Sequence, residues 1–539
     1  MRSLLHWFLI LNAWFLVACG KSRKSSSSGS ASIPEQNSSI PLAARTAASG
    51  EKQFTRIPGE ASGIDLVHLF PDGAPFELMI DQYSGSGVAV GDIDNDGLPD
   101  LYLTNYDQGN RLYRNLGDWR FADVTEAAGV GGMQRWGAGT TFADIDNDGD
   151  LDLYVCVFNA PNLLYINDGT GAFIESASTF GLDHTGASVM MSFADYDNDG
   201  DLDGYLVTHR SPLQGRHRLP KSSKEAFDRG ILRIDSSSGQ RQAVVTDAYR
   251  DLFKLVSRRG GRTQLITAGE RDLLFRNEGG TFVNVSDSAG ISGHWIGLAA
   301  TWWDADRDGD PDLYVSNDYK GPDQFFRNNG DGTFTDRTRE TFPHTPWLSM
   351  GTDFADINND GDFDFVATDM AGTNHYKQKM GMGNMTKDRW FLEEADPQQY
   401  MRNAVYLNSG TERFMEVAFL TGLANSDWTW SAKFGDFDND GWSDLFFTNG
   451  MSRDFMNSDL GKKFKGVRNE KWKDLPILKQ PNLVFRNQGA EALAFESKGT
   501  DWGLDQVAAS YGAALADLDR DGDLDLIHTN FDEAVRWPT

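Results

Sequence analysis

One acidic nine-residue run, Asp-x-Asp-x-Asp-Gly-x-x-Asp, occurs seven times in this 539-residue chain. Its first three copies place carboxylates at Asp92, Asp94, Asp96 and Asp100; at Asp144, Asp146, Asp148 and Asp152; and at Asp195, Asp197, Asp199 and Asp203. The next two use Asp304, Asp306, Asp308 and Asp312, then Asp356, Asn358, Asp360 and Asp364. The last two use Asp436, Asp438, Asp440 and Asp444, then Asp517, Asp519, Asp521 and Asp525. Asn358 is the one departure. Carboxylates this close repel one another unless a cation lies among them. The first, third and fifth positions put three oxygens on one side of a tight turn, which the glycine at the sixth permits. A carbonyl at the seventh and the carboxylate at the ninth can close the shell. Hard oxygen donors in a flexible loop suit Ca²⁺ better than Mg²⁺, and no Cys or His is present for zinc. Up to seven Ca²⁺ sites are therefore expected.

An EF-hand opens in the same way but needs Glu at its twelfth position and flanking helices. Here the twelfth residue is Leu103, Val155, Leu206, Val315, Ala367, Phe447 or His528. The flanks, Gly-Val-Ala-Val-Gly before Asp92 and Leu-Tyr-Leu-Thr after Asp100, read as strands. Loop starts lie 52, 51, 109, 52, 80 and 81 residues apart, on a base period of about 50 residues typical of propeller blades. Between loops lies a second motif, Asn110–Asn115 followed by Phe121–Thr125. Its relatives are Asn162–Asn167, Asp272–Asn277, Asp323–Asn328, Asn403–Asn408 and Asn482–Asn487. Each unit thus supplies four short strands, enough for one blade. The expected fold is all-β: a seven-bladed propeller over residues 51–539, with helical or irregular insertions at 210–262, 370–402 and 450–480 on one face. The seventh unit runs out of sequence, and residues near 54–57 should complete it.

These loops and Asn…Asn strands resemble the FG-GAP/VCBS repeats of integrin α-type propellers, over roughly residues 54–537. The runs Asp427-Trp-Thr-Trp430, Met350-Gly-Thr-Asp-Phe354 and Gln399-Tyr-Met-Arg-Asn403 are similar to bacterial relatives of cartilage acidic protein. The resemblance implies calcium-ordered blades. Such proteins often carry an ASPIC/UnbV module; none is read here, so functions attributed to it do not carry over. The literal Gly-Ala-Pro of the integrin motif is also missing, which speaks against integrin-like ligand recognition.

Residues 1–18 have one early positive charge, Arg2, and an apolar stretch from Leu4 to Ala18, the size of a signal-peptide core. Leu16-Val-Ala-Cys19 resembles a lipobox, so Cys19 is the expected lipidation site. Residues 19–50, Ser-rich and low in apolar content, read as a flexible tether. The expected location is the bacterial outer membrane or cell surface. Cys156, the one other cysteine, sits in strand context as a packed core thiol.

The formal charge is −29, and 27 aspartates occupy the loop positions. Seven calcium ions would bring it to −15. The three insertions instead carry +8, +1 and +4, leaving −42 on the rest. They lie between second and third strands, whereas the acidic loops join first to second. The two sets therefore belong at opposite ends of the strands. Residues Thr246–Ser257 have the spacing of an amphipathic helix, with Tyr249, Leu252, Phe253 and Val256 on one side. Arg258, Arg259 and Lys463 are candidate contacts for a surface protein or an anionic glycan. Export and acidity disfavour nucleic acid. Trp136, Trp295, Trp347, Trp428 and Tyr511 precede first strands and are expected near the channel mouth. His184, His294 and His344 lack metal spacing and read as structural.

No His-Glu-x-x-His, Gly-x-Ser-x-Gly or phosphate loop occurs. The leading expectation is a non-enzymatic, lipid-anchored adhesion or scaffolding module. The alternative is an exported carbohydrate-active enzyme, a lyase or hydrolase, using insertion residues such as Arg210, His217, His375 and Lys377.

Overall fold

The computed structural model describes residues 53–69, 86–106, 109–210, 219–237, 239, 241–258, 262–380, 389–454, 456–457, 459–460, 474–532 and 537–538. The fold is all-β, with short helices confined to connections and insertions. Unit one pairs Val88–Gly91, Asp100–Leu103, Arg111–Asn115 and Phe121–Asp123 in antiparallel order. The acidic loop joins its first two strands. The same four-strand order recurs in units two to six, with second strands Asp152–Pro161, Asp203–Thr208, Asp312–Asp318, Asp364–Ala367 and Asp444–Asn449. Units two and three merge into one eight-stranded sheet, because Thr185–Ala194 runs long and pairs with the end of Asp152–Pro161.

Strand two is the buried centre of each unit. In unit one, Asp100, Leu101, Tyr102 and Leu103 are all fully buried, so both sheet faces are packed. The facing residues come from the next unit. Tyr102 and Leu112 cluster with Leu153, Val155 and Tyr165, while Leu518 and Ile527 of unit seven cluster with Leu101, Leu103 and Tyr113 of unit one. Units one and seven are therefore packed neighbours.

Strand one carries small residues because neighbouring backbones meet there. A Cβ on Gly87 would lie 2.6 Å from the Ala138 carbonyl oxygen, and one on Gly512 would lie 2.7 Å from that of Ser86. A hydroxyl four residues beyond the ninth loop position ties each strand two to the following unit. Thr104 Oγ1 donates to Ala138 O, Ser316 to Met350 O, Thr368 to Thr429 O, Thr448 to Tyr511 O and Thr529 to Ser86 O. The last bond runs from unit seven back to unit one. Cys156 stands at this same position in unit two, fully buried. Burial also drives its thiol pKa far up, so it packs and stays protonated.

The seventh unit has two strands from the chain's end, Ser510–Ala516 and Asp525–Asn530. Arg56–Ile57 pairs antiparallel with Trp537–Pro538 nearby. Phe54 N donates to Trp502 O, as Phe334 N does to Ala289 O and Phe414 N to Thr341 O in the fourth strands of other units. The short helix Gly59–Ser62 then ends on left-handed Gly63, as Thr125–Ala128 ends on Gly129. Residues 54–64 thus have the form of a repeat's tail.

The insertions differ from the sequence expectation. Thr246–Ser257 is not a helix. A 3₁₀ turn at Asp247–Tyr249 is followed by strand Phe253–Arg258, hairpin-paired with Arg262–Thr267. The overlooked signal is Gly260-Gly261, a hairpin turn dipeptide between two β-prone runs. Tyr249, Leu252 and Phe253 still pack inward, with Ala226, Ile231 and Leu232. A second hairpin, Leu232–Asp235 with Gln242–Val245, precedes it. The insertion at 370–402 is helical at His375–Met380 and Arg389–Glu394.

Phe54 is 4% exposed and packs with Phe437, Phe446 and Trp502. Replacing it with Ala should cost about 3–5 kcal/mol by lost transfer and cavity formation. Urea denaturation measures this; an unchanged midpoint would detach residues 54–64 from the seventh unit.

Candidate functional site

Each acidic loop is first a backbone device. In loop one, Asp92 accepts from Asp96 N at 3.1 Å and Gly97 N at 2.8 Å, and Asp96 accepts from Leu98 N at 2.9 Å. Asp100 accepts from Ile93 N at 3.0 Å and, across the sheet, from Asn115 N at 2.7 Å. Loop six repeats this set through Asp436, Asp440 and Asp444. The first-position bonds recur in all the other loops as well. The sixth residue is left-handed, with φ of 85° at Gly97 and 99° at Gly200, which favours glycine. The fourth is also left-handed, and is Asn95, Asn147, Asn198, Asn359 or Asn439 in five loops and Arg307 or Arg520 in the others. Asparagine tolerates this region best among side-chain-bearing residues.

These bonds leave the third position without a backbone task. Asp94, Asp197 and Asp438 each keep one buried oxygen with no hydrogen-bond partner. Ligand oxygens of Asp92, Asp94 and Asp96 lie within 4.8 Å of one another, as do those of Asp144, Asp146 and Asp152, and of Asp436, Asp438 and Asp444. Asp195, Asp197 and Asp199 group in the same way, as do Asp304, Asp306 and Asp308. The ninth-position carboxylates are buried beside them. Burial pushes Asp100, Asp152, Asp203, Asp312, Asp364 and Asp444 up to about 7, and Asp525 to about 8. Convergent anionic oxygens with unpartnered lone pairs fit a hard divalent cation.

Three features of this site were not read from sequence. First, the third-strand asparagine joins units. Asn167 Nδ2 donates to Ile93 O at 2.8 Å, reaching from unit two into loop one. Asn277, Asn328, Asn408 and Asn487 each reach the preceding loop in the same way, and Asn115 reaches Leu518 O of loop seven. The remaining carbonyl, Phe437 O, is met by Gln53 Nε2 at 2.9 Å. Second, the fourth loop residue contacts the seventh residue of the next loop: Asn95 with Asp150, Asn198 with Asp310, Asn439 with Asp523. Third, three loops carry an internal cation. Arg114 lies 2.6 Å from Asp94 and 3.0 Å from Asp96. Arg327 holds Asp306, and Arg486 holds Asp438 and Asp440. Ile166 and Leu407 occupy this place in units two and five. The sequence signals were present: Asn closes every such strand motif, and Arg precedes it in four of the six.

Other expected site residues fall elsewhere. Arg258 is committed to Glu394, with two bonds of 2.9 Å, and stacks on Trp390. It braces two insertions against each other. Arg259, Lys463, Cys19 and His217 lie outside the described residues. Trp347, Trp428 and Tyr511 are buried, and Tyr511 borders a 620 Å³ channel lined by first strands of all seven units. Trp136 packs on Tyr106. His294 meets Asp251 at 3.1 Å, His344 meets Glu416 at 3.3 Å, and His184 is lowered by burial. Lys377 is paired with the buried Asp427.

The FG-GAP-like repeat family matches residues 92–155 and 304–367. Each match begins on a loop's first aspartate and ends on the twelfth position of the next loop. These two segments are FG-GAP-like repeats. The chain is also similar to cartilage acidic protein 1. Identity is 29% to the Xenopus tropicalis protein over 147 residues, covering 26% of this chain and 22% of that protein. It is 29% to the Homo sapiens protein over 174 residues, covering 31% and 26%. The chain spans about a quarter of the length of these relatives. A crystal structure of BBS1N in complex with ARL6DN, soaked with lead, aligns over 90% of this chain and 97% of that one. Its 8% identity and TM-score of 0.40 are too low for a fold inference.

The FG-GAP-like loops should differ in their need for a cation. Loop two has four aspartates and no arginine, whereas loops one, four and six hold one each. In chelator, amide hydrogen exchange should rise more at 144–152 than at 92–100, 304–312 or 436–444. Equal rises would show that the arginines do not substitute for metal.

Proposed function

We propose that this chain is a calcium-ordered, seven-bladed propeller, exported and anchored through a lipid on Cys19, that serves as an adhesion or recognition module. The observation that carries the reading is the return of the inter-unit bonds to their start. Thr529 reaches Ser86, Asn115 reaches Leu518, and Gln53 supplies the bond an absent asparagine would make. A channel lined by first strands of all seven units supports the same ring. Closure removes the edges that open sheets expose to aggregation.

The first-, third-, fifth- and ninth-position side chains of each loop would hold the ion, with Asn358 taking the third position of loop five. Calcium, when bound, supplies the positive charge these oxygens lack. The chain's own residues hold the loop ready for it: the first-position aspartate fixes the turn, and the ninth clamps it to strands two and three. No loop oxygen is placed to attack a substrate, so the site reads as a clasp. Recognition then belongs to the basic insertions at the other strand ends. The similarity to cartilage acidic protein 1 supports a recognition role of this kind.

Removing calcium with EGTA should lower Tm by well over 10 °C and should do so cooperatively, as a ligand binding only the folded state requires. The effect has a defined pH sign. Without metal, ninth-position carboxylates raised to about 7 contribute stability below the ordinary aspartate pKa and lose it as pH rises through about 7. Chelated protein should therefore weaken from pH 5 to 8, while the gain from added calcium grows. Scanning calorimetry over that range tests both; a calcium-independent Tm at pH 8 would reject the clasp. Cys19→Ala should release the protein from membranes, read by fractionation of the full chain.

A further inference from the structure

Two insertions and the connections before units four and five enclose a 720 Å³ groove. It lies at the strand ends away from the acidic loops. One wall is the hairpin Phe253–Arg258 with Arg262–Thr267; the other is the helix Arg389–Glu394. The Arg258–Glu394 ion pair fixes the two walls together.

Three features of the groove lack a partner. Lys254 Nζ sits 3.3 Å from the centroid of the Trp295 ring. Among the described residues, no carboxylate pairs with this ammonium. Burial alone lowers its pKa to about 8, with no offsetting negative charge. A half-buried cation with only an indole beneath it is costly to keep. Gln399 is 1% exposed, and its amide nitrogen donates to Gly321 O at 3.0 Å and Pro346 O at 3.1 Å. Those bonds fix the amide's orientation and leave Oε1 buried, lining the groove, with no donor. The third feature is the Trp295 indole itself, which is backed by closely approaching backbone. A Cβ on Gly321 would lie 2.4 Å from its ring and one on Gly293 would lie 2.9 Å away. Trp390, under Arg258, adds a second indole.

A cation without an anion, an acceptor without a donor, and fixed aromatic surface define the missing ligand by subtraction. A neutral sugar would leave Lys254 uncompensated. A free phosphate or acetate would leave Gln399 and the indoles unused. A uronate residue supplies a carboxylate, hydroxyl donors and an apolar C–H ring face together. We propose that this groove binds the uronate residues of an acidic polysaccharide, with Lys254 receiving the carboxylate and Gln399 Oε1 accepting from a sugar hydroxyl. The proposal rests on the recognition reading above and gives it a place and a ligand class.

The test is calorimetric titration of the calcium-loaded chain with trigalacturonate and with its methyl ester, which keeps the sugar and removes the charge. The free acid should bind at least about tenfold more tightly, the scale of one charge-assisted contact. Lys254→Met should abolish that preference, and Lys254→Arg should retain most of it. Because a core-facing change can disturb folding, a second measurement uses the unaltered protein. Trigalacturonate should protect Lys254 from acetic anhydride labelling, read by peptide mass spectrometry, while exposed lysines such as Lys224 react as before. Binding that survives Lys254→Met, with Lys254 unprotected, would overturn the groove and leave acidic-glycan recognition standing elsewhere. No binding of trigalacturonate and no protection would overturn both the groove and the acidic-glycan reading. The calcium clasp would stand or fall separately, on its thermal test.

Discussion

The third-strand asparagine is the constraint from which the rest of the architecture follows. Its backbone N–H is fixed by the ninth-position aspartate of its own loop, and its side chain reaches the loop before it, as Asn167 does to both Asp152 and Ile93. One residue therefore sets the distance between the sheets at the loop end. At the middle of the strands, the same spacing is held by Thr104, Ser316, Thr368, Thr448 and Thr529. The glycines of the first strands keep it short enough for those bonds. A repeat cannot satisfy these groups alone. Buried backbone carbonyls such as Ile93 O need a neighbour's donor, so each unit is incomplete until the next one packs.

This dependence explains why the loops are built as they are. The first- and ninth-position aspartates are occupied by backbone N–H groups that hold the turn. The price is a set of buried carboxylates whose mutual repulsion must be offset. Unit two leaves that charge open, whereas units one, four and six place an arginine from strand three against it. The loops are thus not seven equal sites, although their sequences look almost identical. The difference lies in a residue outside the loop, one strand away, which local reading of the acidic run does not reach.

The insertions follow a separate logic. They are basic where the repeat is acidic, and their cations are mostly spoken for: Arg258 by Glu394, Lys377 by Asp427. Lys254 is the exception, seated on an indole rather than a carboxylate. Charge counting over residues 210–262 could find a basic segment, but not which cation stays uncompensated. The hairpin that carries Lys254 was also misread as a helix. Tyr249, Leu252, Phe253 and Val256 fit a 3.6-residue period as well as they fit a turn followed by a strand, and local periodicity alone cannot choose between them. Pairing with Arg262–Thr267 decides the matter, because six cross-strand partners outweigh an isolated amphipathic turn.

By itself, the sequence determined what is repeated: the acidic turn, the strands on either side and the Asn…Asn strand. These are local properties, fixed by glycine at a left-handed position, by carboxylates within reach of nearby amides and by alternation along short strands. Asp92 and Gly97 carry that information within nine residues. Only the tertiary structure decided how the repeats serve one another. Phe54 completes a core some 380 residues away, beside Phe437, and Gln53 stands in for an asparagine. Lys254 and Gln399 meet across two insertions to leave one charge and one acceptor unmatched. Nothing in the local chemistry of these residues announces those roles. They arise from which groups are left without partners once the units have packed.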